Sequence, residues 1–306
     1  MPATTSVKSS KIKVSASTWV FNIIGYIFIT LIALLCLLPF IILISGSFSS
    51  EQAVRLNGLS IFPQEFTTEA YEFIFRNPQD ILNAYGITIL ITAIGTGVGL
   101  IFLTMTAFVI SRKDFKYRNV ISFYFYFTTL FNGGMVCTYI FYIQYYGLKD
   151  NLLALILPGL TPVFYMLIMR NFVSGIPSAL IESAKIDGAG EVRIFFQIVL
   201  PLLGSGLATI GLFMALTYWN DWYNAMLFLD EGSRNLYPLQ YFLNNILTKA
   251  QAMNAAAARS GIPASDVPSE PMKLAMTVVA TGPIILLYPF LQKYFVKGVT
   301  IGAVKG

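Results

Sequence analysis

The sequence predicts an all-α membrane protein with six transmembrane helices, on three observations. Hydrophobic residues make up 56% of the 306 residues and charged residues only 11%, with a mean hydropathy of +0.68. No ordinary soluble domain has that balance. Apolar runs long enough to cross a ~30 Å hydrocarbon core recur along the chain. The basic residues border those runs instead of forming one patch, so the net charge of +5 does not describe a nucleic-acid surface.

The spans are expected at 19–46, 83–110, 119–146, 152–169, 201–229 and 273–291. The first, at about 28 residues and ~1.5 Å each, gives ~42 Å, enough to cross with tilt. It is too long for a signal-peptide core and is expected to stay as an anchor. Residues 1–18 form a polar, Ser/Thr-rich tail. The positive-inside rule puts both termini in the cytosol, because Lys8, Lys11, Lys13, Arg112, Lys113, Lys116 and Arg118 then lie on one side. The same count places the loop at 171–200 and the tail at 294–306 inside, and the loops at 47–82 and 230–272 outside. Cys36 and Cys137 both fall in spans and are expected as separate buried thiols, with a disulfide left open.

The 47–82 loop is too aromatic for a simple linker, and a short helix is expected near 68–75 with Thr67 or Thr68 as its cap. In the second span, Gly95 and Gly99 form a small-xxx-small pair suited to close helix packing. In the third, Asn132, Gly133 and Gly134 weaken the helix and mark a break or a close approach. The fifth ends in Tyr218, Trp219, Asn220, Asp221, Trp222, Tyr223 and Asn224. On a continuous helix, Tyr218, Asp221 and Trp222 share a face, with Asp221 about eight residues, or ~12 Å, below the outer end. Two readings stand open. One is a sugar path of stacking rings and an accepting carboxylate; the other is an interfacial aromatic belt with Asp221 bonded to a neighbouring helix. An Ala-rich helical piece is expected near 250–258.

Between two long apolar runs lies a charged stretch at 181–201, IESAKIDGAGEVRIFFQIVLP, with Glu182, Lys185, Asp187, Glu191 and Arg193 within about a dozen residues. Glycines at 188 and 190 divide it into a helix, a sharp turn and a second short helix, with an apolar side along Ala184, Ile194, Phe195, Ile198 and Val199. Its residues Glu182, Ser183, Ala184, Asp187, Gly188, Ala189, Phe195 and Pro201 resemble the EAA loop of ABC-transporter permeases, with Ser183 in place of the usual Ala. Other segments are similar to carbohydrate permeases of the maltose type, in the subgroup serving larger or complex oligosaccharides. They are the aromatic 62–75 stretch, Gly133–Gly134–Met135 with Cys137 where a Pro is usual, Trp219–Asn220–Asp221, and the tail QKYFVKGVTIGAVKG. The resemblance covers nearly the whole chain. It implies a type I ABC importer permease fold over 19–293. It makes Glu182, Ser183, Ala184, Asp187, Gly188 and Ala189 the coupling helix that sits in a groove of an ATP-binding subunit. It also makes Tyr218, Trp219, Asn220, Asp221 and Trp222 a candidate substrate path.

The chain has no histidine, no G-x-x-x-x-G-K-[ST] phosphate loop and no metal-ligand spacing. No catalytic residue and no cofactor are expected on it; ATP and Mg are expected on partner subunits. The resemblance implies ATP-driven import of an oligosaccharide in a bacterial cell membrane. The implied partners are a second, homologous permease, two ATP-binding subunits and a lipid-anchored or periplasmic sugar-binding protein. The competing class is an ion-coupled secondary sugar transporter, which needs intramembrane ionisable groups and often an internal repeat. Asp221 is the one acid expected in a span.

Overall fold

The computed structural model describes residues 16–259 and 269–303, with side chains described except at 16, 257–258 and 287–303. The described residues are helical, with no strand beyond one isolated bridge between Ser49 and Phe66. Helix α1 (Ala16–Ser47) leads into α2 (Glu51–Asn57), α3 (Glu69–Ile74) and the long α4 (Pro78–Ser111). Then come α5 (Arg118–Leu130), α6 (Gly134–Ile140), α7 (Leu152–Ile156), α8 (Val163–Ser174), α9 (Ser178–Ile186) and α10 (Glu191–Ile194). The order closes with α11 (Leu200–Leu202), α12 (Gly204–Trp219), α13 (Tyr223–Phe228), α14 (Leu239–Arg259) and α15 (Glu270–Ala303).

Helix α4 organises the bundle. Its 34 residues extend ~50 Å, and it packs against both α8 and α12. Close approach rests on glycine. A methyl group at Gly95 would overlap the Tyr218 ring, and one at Gly99 would overlap Met214 and the Leu160 carbonyl. The small-xxx-small pair is therefore a packing device, as its spacing suggests. Leu103, Ala107, Met166, Met169, Ile210 and Met214 fill the core between these helices. At the other end of α4, the Tyr85 hydroxyl donates to the Val279 carbonyl at 2.7 Å, tying α4 to α15.

Two helices, α1 and α4, are each long and apolar enough to cross a membrane alone. Three further candidates are bent pairs, and each bend has a local cause. The pair on either side of residues 131–133 turns by 114°, where Gly134 takes φ +82° and donates its N–H to Asn132 Oδ1 at 2.8 Å. The weak point expected in the third span is thus a break. The 152–174 pair bends by 50° at Pro162, whose ring holds the preceding residue out of helical geometry. The 191–219 pair bends by 82° at Leu203. Pro201 lacks an amide proton, and a π-helical turn, Phe195–Val199, precedes it. The continuous 201–229 helix expected as the fifth span is not found: the chain leaves the helix at Trp219 and starts a new one at Tyr223.

The two long loops carry more structure than expected. The short helix at 68–75 is found as α3, with Thr68 at its N-cap position. It docks through Tyr71, whose ring stacks on Phe48 and whose hydroxyl lies 2.8 Å from Ser47 Oγ. The helical piece near 250–258 belongs to a much longer element: α14 starts at Leu239 and buries Leu239, Leu243 and Ala250. Glu51 closes this end by accepting the Glu270 amide at 2.9 Å and the Ser269 hydroxyl at 3.1 Å, which places a carboxylate at the α15 N-terminus. Cys36 and Cys137 are free, as separate thiols should be, but both are exposed on the isolated chain instead of buried. The tail at 1–15, Pro263 and Pro268 of the 230–272 loop, and the chain after Ala303 lie outside the described residues.

Candidate functional site

The loop beyond α8 begins where Pro177 sets up the first turn of α9. Helix α9 ends in a full Schellman turn. The Gly188 N–H donates to the Lys185 carbonyl at 3.0 Å, and the Ala189 N–H donates to the Ala184 carbonyl at 2.9 Å. Gly188 is the left-handed residue this closure needs, with φ +79° and open space where a Cβ would stand. Gly190 has ordinary extended geometry and serves as the N-cap of α10.

The turn sorts the loop's side chains onto two sides. Ala184 is buried and joins Ile194, Phe195 and Val199 in the core, with Ala189 packed beside them. The opposite side is open: Glu182, Ser183, Asp187 and Gly188 are exposed. Glu182 and Asp187 make no side-chain hydrogen bond or ion pair among the described residues. Between them, Ile186 is 85% exposed, and across the turn Val192 is 70% exposed. An apolar knob flanked by two unpartnered carboxylates therefore faces outward from the turn.

Behind the turn lies a closed ring of four alternating charges that sequence reading did not find. Arg112 reaches Asp114 at 2.7 Å and Glu191 at 3.3 Å; Lys185 reaches the same two acids at 3.3 and 2.8 Å. Each cation thus touches both carboxylates. The Arg112 hydrogen bond, with that of Lys185 behind it, holds the Asp114 carboxyl well below the usual carboxylate range. The Glu191 hydrogen bond raises Lys185, and the Asp114 hydrogen bond raises Arg112. Arg112 lies directly after α4 and over the Phe108 ring at 5.5 Å. The ring therefore joins the end of the central helix to both halves of the glycine turn. Its partners lie up to 79 residues apart, so no local pattern signals them; the sole sequence hint is the density of charge in two loops on one side.

The second group of expected site residues is distributed differently. Tyr218 is 3% exposed, wedged against Gly95 and Gly159, with its hydroxyl donating to the Ile156 carbonyl at 2.7 Å. Trp219 is 7% exposed, and its Nε1–H donates to the Ala280 carbonyl at 3.0 Å. Asp221 caps α13: Oδ1 accepts the amides of Tyr223 and Asn224 at 3.0 and 3.1 Å, and Oδ2 accepts the Asn224 side chain at 2.6 Å. The shared helical face of Tyr218, Asp221 and Trp222 does not exist, because the helix breaks between them. Nor does Asp221 bond to a neighbouring helix; its partners are two and three residues ahead. Asn220 bonds back to the Leu216 carbonyl at 2.9 Å and accepts from Gln240 at 3.3 Å. The Trp222 ring is 43% exposed and meets Tyr223 edge-on. No cluster of His, Cys, Asp and Glu among the described residues has the arrangement of a metal site.

No family model matches this chain. The chain is 39% identical over 286 residues to the polygalacturonan/rhamnogalacturonan transport system permease protein YtcP of Bacillus subtilis, a match covering 94% of this chain and 98% of that protein. It is 28% identical over 297 residues to the arabinooligosaccharides transport system permease protein AraQ of Halalkalibacterium halodurans, covering 94% and 97%. Among solved structures, a chain of a bacterial ABC transporter involved in the import of the acidic polysaccharide alginate superposes with a TM-score of 0.74 at 28% identity, over 93% of this chain and 100% of that one.

Proposed function

Because this chain belongs to the permease subunits of ABC sugar-import systems, we propose that it crosses a bacterial cell membrane six times with both termini in the cytosol. In that arrangement it passes an oligosaccharide received from an extracellular binding protein. The family leaves the ion-driven reading without support. The observation that carries the proposal is the turn at Gly188. It is locally self-sufficient, yet it leaves Glu182, Asp187, Ile186 and Val192 facing outward. These residues, with Ser183, form the surface that docks into an ATP-binding subunit, while Ala184 and the half-buried Ala189 anchor the surface to the bundle.

Coupling then follows from rigidity. ATP, with Mg, binds between two ATPase subunits and draws them together. The docked turn moves with them, and the charge ring carries the motion to the end of α4. Helix α4 is packed on α8 and α12, so the bundle moves between two packed arrangements instead of deforming continuously. A second, homologous permease completes the pathway. In support, α5 buries none of its residues and α1 leaves its apolar surface open on the single chain. The sugar path includes the break at 218–222, where Asn220 and Trp222 are exposed and Tyr218, Trp219 and Asp221 hold the backbone in place.

The test is co-expression with the partner permease and ATPase subunits. Wild-type chain should retain the ATPase through purification and support ATP-driven sugar uptake in proteoliposomes; alone it should neither bind nor hydrolyse ATP. Proton- or sodium-driven uptake by the chain alone, or ATPase retention unaffected when Glu182, Ile186 and Asp187 are all replaced by Ala, would overturn the reading.

A further inference from the structure

We propose that a cavity at the Pro78 end of α4 is a binding site for the carboxylate-bearing, uronate, unit of a saccharide. This rests on the sugar-importer reading and adds a substrate class to it. The cavity has a volume of about 520 Å³, inside the ~300–1,000 Å³ range of small-molecule sites. It is assembled from the end of α3, the first turns of α4, the residues before α14, and α14 itself. The Asn83 side chain, donating to the Asn235 carbonyl at 2.8 Å, fastens two of these walls together.

The chemistry of the lining is what points to a uronate. Arg76, Arg234 and Lys249 line the cavity against one lining carboxylate, Asp80. Lys249 is partly occupied by Glu231 at 3.1 Å. Arg76 and Arg234 make no side-chain hydrogen bond or ion pair among the described residues. A guanidinium offers two parallel N–H groups that match a carboxylate. The amides of Asn77 and Asn245 add groups that both donate and accept, as sugar hydroxyls require. Tyr237 contributes a buried ring, not its hydroxyl, which already donates to the Asp230 carbonyl at 3.0 Å. Phe242 supplies a second apolar wall. Both guanidiniums are open to water, and Lys249 and then Arg234 hold the Glu231 carboxyl below its usual range; a neutral sugar would offer the arginines no carboxylate to bridge. The cavity lies at the opposite end of α4 from the Gly188 turn, so in the proposed orientation it opens to the outside, where the saccharide arrives.

The experiment uses the whole transporter in nanodiscs, with trigalacturonate and its carboxyl-reduced, neutral counterpart as probes, measured by equilibrium dialysis. Wild type should bind the acid at least about tenfold more tightly than the neutral sugar. Arg76→Gln with Arg234→Gln should abolish that preference by raising the Kd for the acid about tenfold, leaving the neutral sugar within about twofold and basal ATP hydrolysis unchanged. Arg76→Lys with Arg234→Lys, which keeps the charge, should retain part of the preference. Absence of a preference in wild type, or equal losses for both sugars, overturns the assignment. A preference that survives the Gln pair while affinity for the sugar-free binding protein falls assigns the cavity to protein docking and overturns it equally. ATP-driven uptake by wild type separates the two levels of failure. No uptake of any sugar defeats the importer reading; uptake with no effect of the arginines defeats only the cavity assignment.

Discussion

The turn at 178–194 and the cluster at 218–224 both set polar residues among apolar ones, and they use them in opposite ways. In the turn, the backbone closes on itself through two hydrogen bonds and one left-handed glycine, and Glu182 and Asp187 are left without partners. In the cluster nearly every polar group is already satisfied: Tyr218 on Ile156, Trp219 on Ala280, Asp221 on the amides of Tyr223 and Asn224. A buried polar side chain with all its bonds made is structural by default, because breaking them to bind a ligand costs the desolvation they now offset. Exposed carboxylates beside exposed aliphatic side chains have no internal bonds to break, so a partner has only to replace their water with donors of its own.

The largest effect that tests this contrast is at Tyr218. Tyr218→Ala should cost about 3–5 kcal/mol by opening a cavity against Gly95 and Gly159, seen as lower thermal stability and yield of the purified complex. Normal stability with selective loss of sugar transport would move Tyr218 from the structural side to the substrate side.

Gly188→Leu comes next. The left-handed conformation costs a branched side chain roughly 1–3 kcal/mol, and nothing crowds the site. The protein should therefore insert normally but lose ATPase retention or coupled uptake in pull-down and transport assays. Gly190→Ala, at ordinary extended geometry, should do neither. Asp221→Ala should follow at about 0.5–2 kcal/mol, the value of a helix cap, with Asp221→Asn milder because its amide oxygen still accepts. Trp222→Ala should leave stability within about 0.5 kcal/mol, as an exposed substitution does. If it also leaves sugar uptake unchanged, the exposed part of the cluster has no place in the path.

The smallest effect on stability belongs to the charge ring: its two acids and Lys185 are exposed, so each pair contributes little singly, although the Arg112 side chain itself is largely shielded. Arg112→Gln should leave assembly intact and lower the ratio of sugar transported to ATP hydrolysed; the double swap Arg112→Glu with Glu191→Arg should restore part of it. Salt near 1 M, where the Debye length is ~3 Å, should mimic Arg112→Gln. The folded Asp114 pKa is depressed, so its contribution is complete above the ordinary carboxylate pKa and lost only as pH falls through the depressed value. Coupling through the ring should then be flat between about pH 5 and about pH 8.

What the sequence by itself determined is local. Composition and run length set an all-helical membrane chain. Pro177, Gly188 and the pattern around Glu182 specify a helix, a turn and a second helix, because caps and left-handed turns depend on a few neighbouring residues. The Gly95–Gly99 pair announced close packing, and Asn132–Gly134 a weak point, for the same reason. Tertiary structure decided the rest. Periodicity carries Tyr218, Asp221 and Trp222 onto one helical face, but Asp221 finds the amides ahead of it and starts a new helix, and Tyr218 is held in place by residues 62 positions away. The charge ring and the cavity at the Pro78 end of α4 join segments distant in the chain; charges that pair across folded helices leave no spacing in the sequence to read.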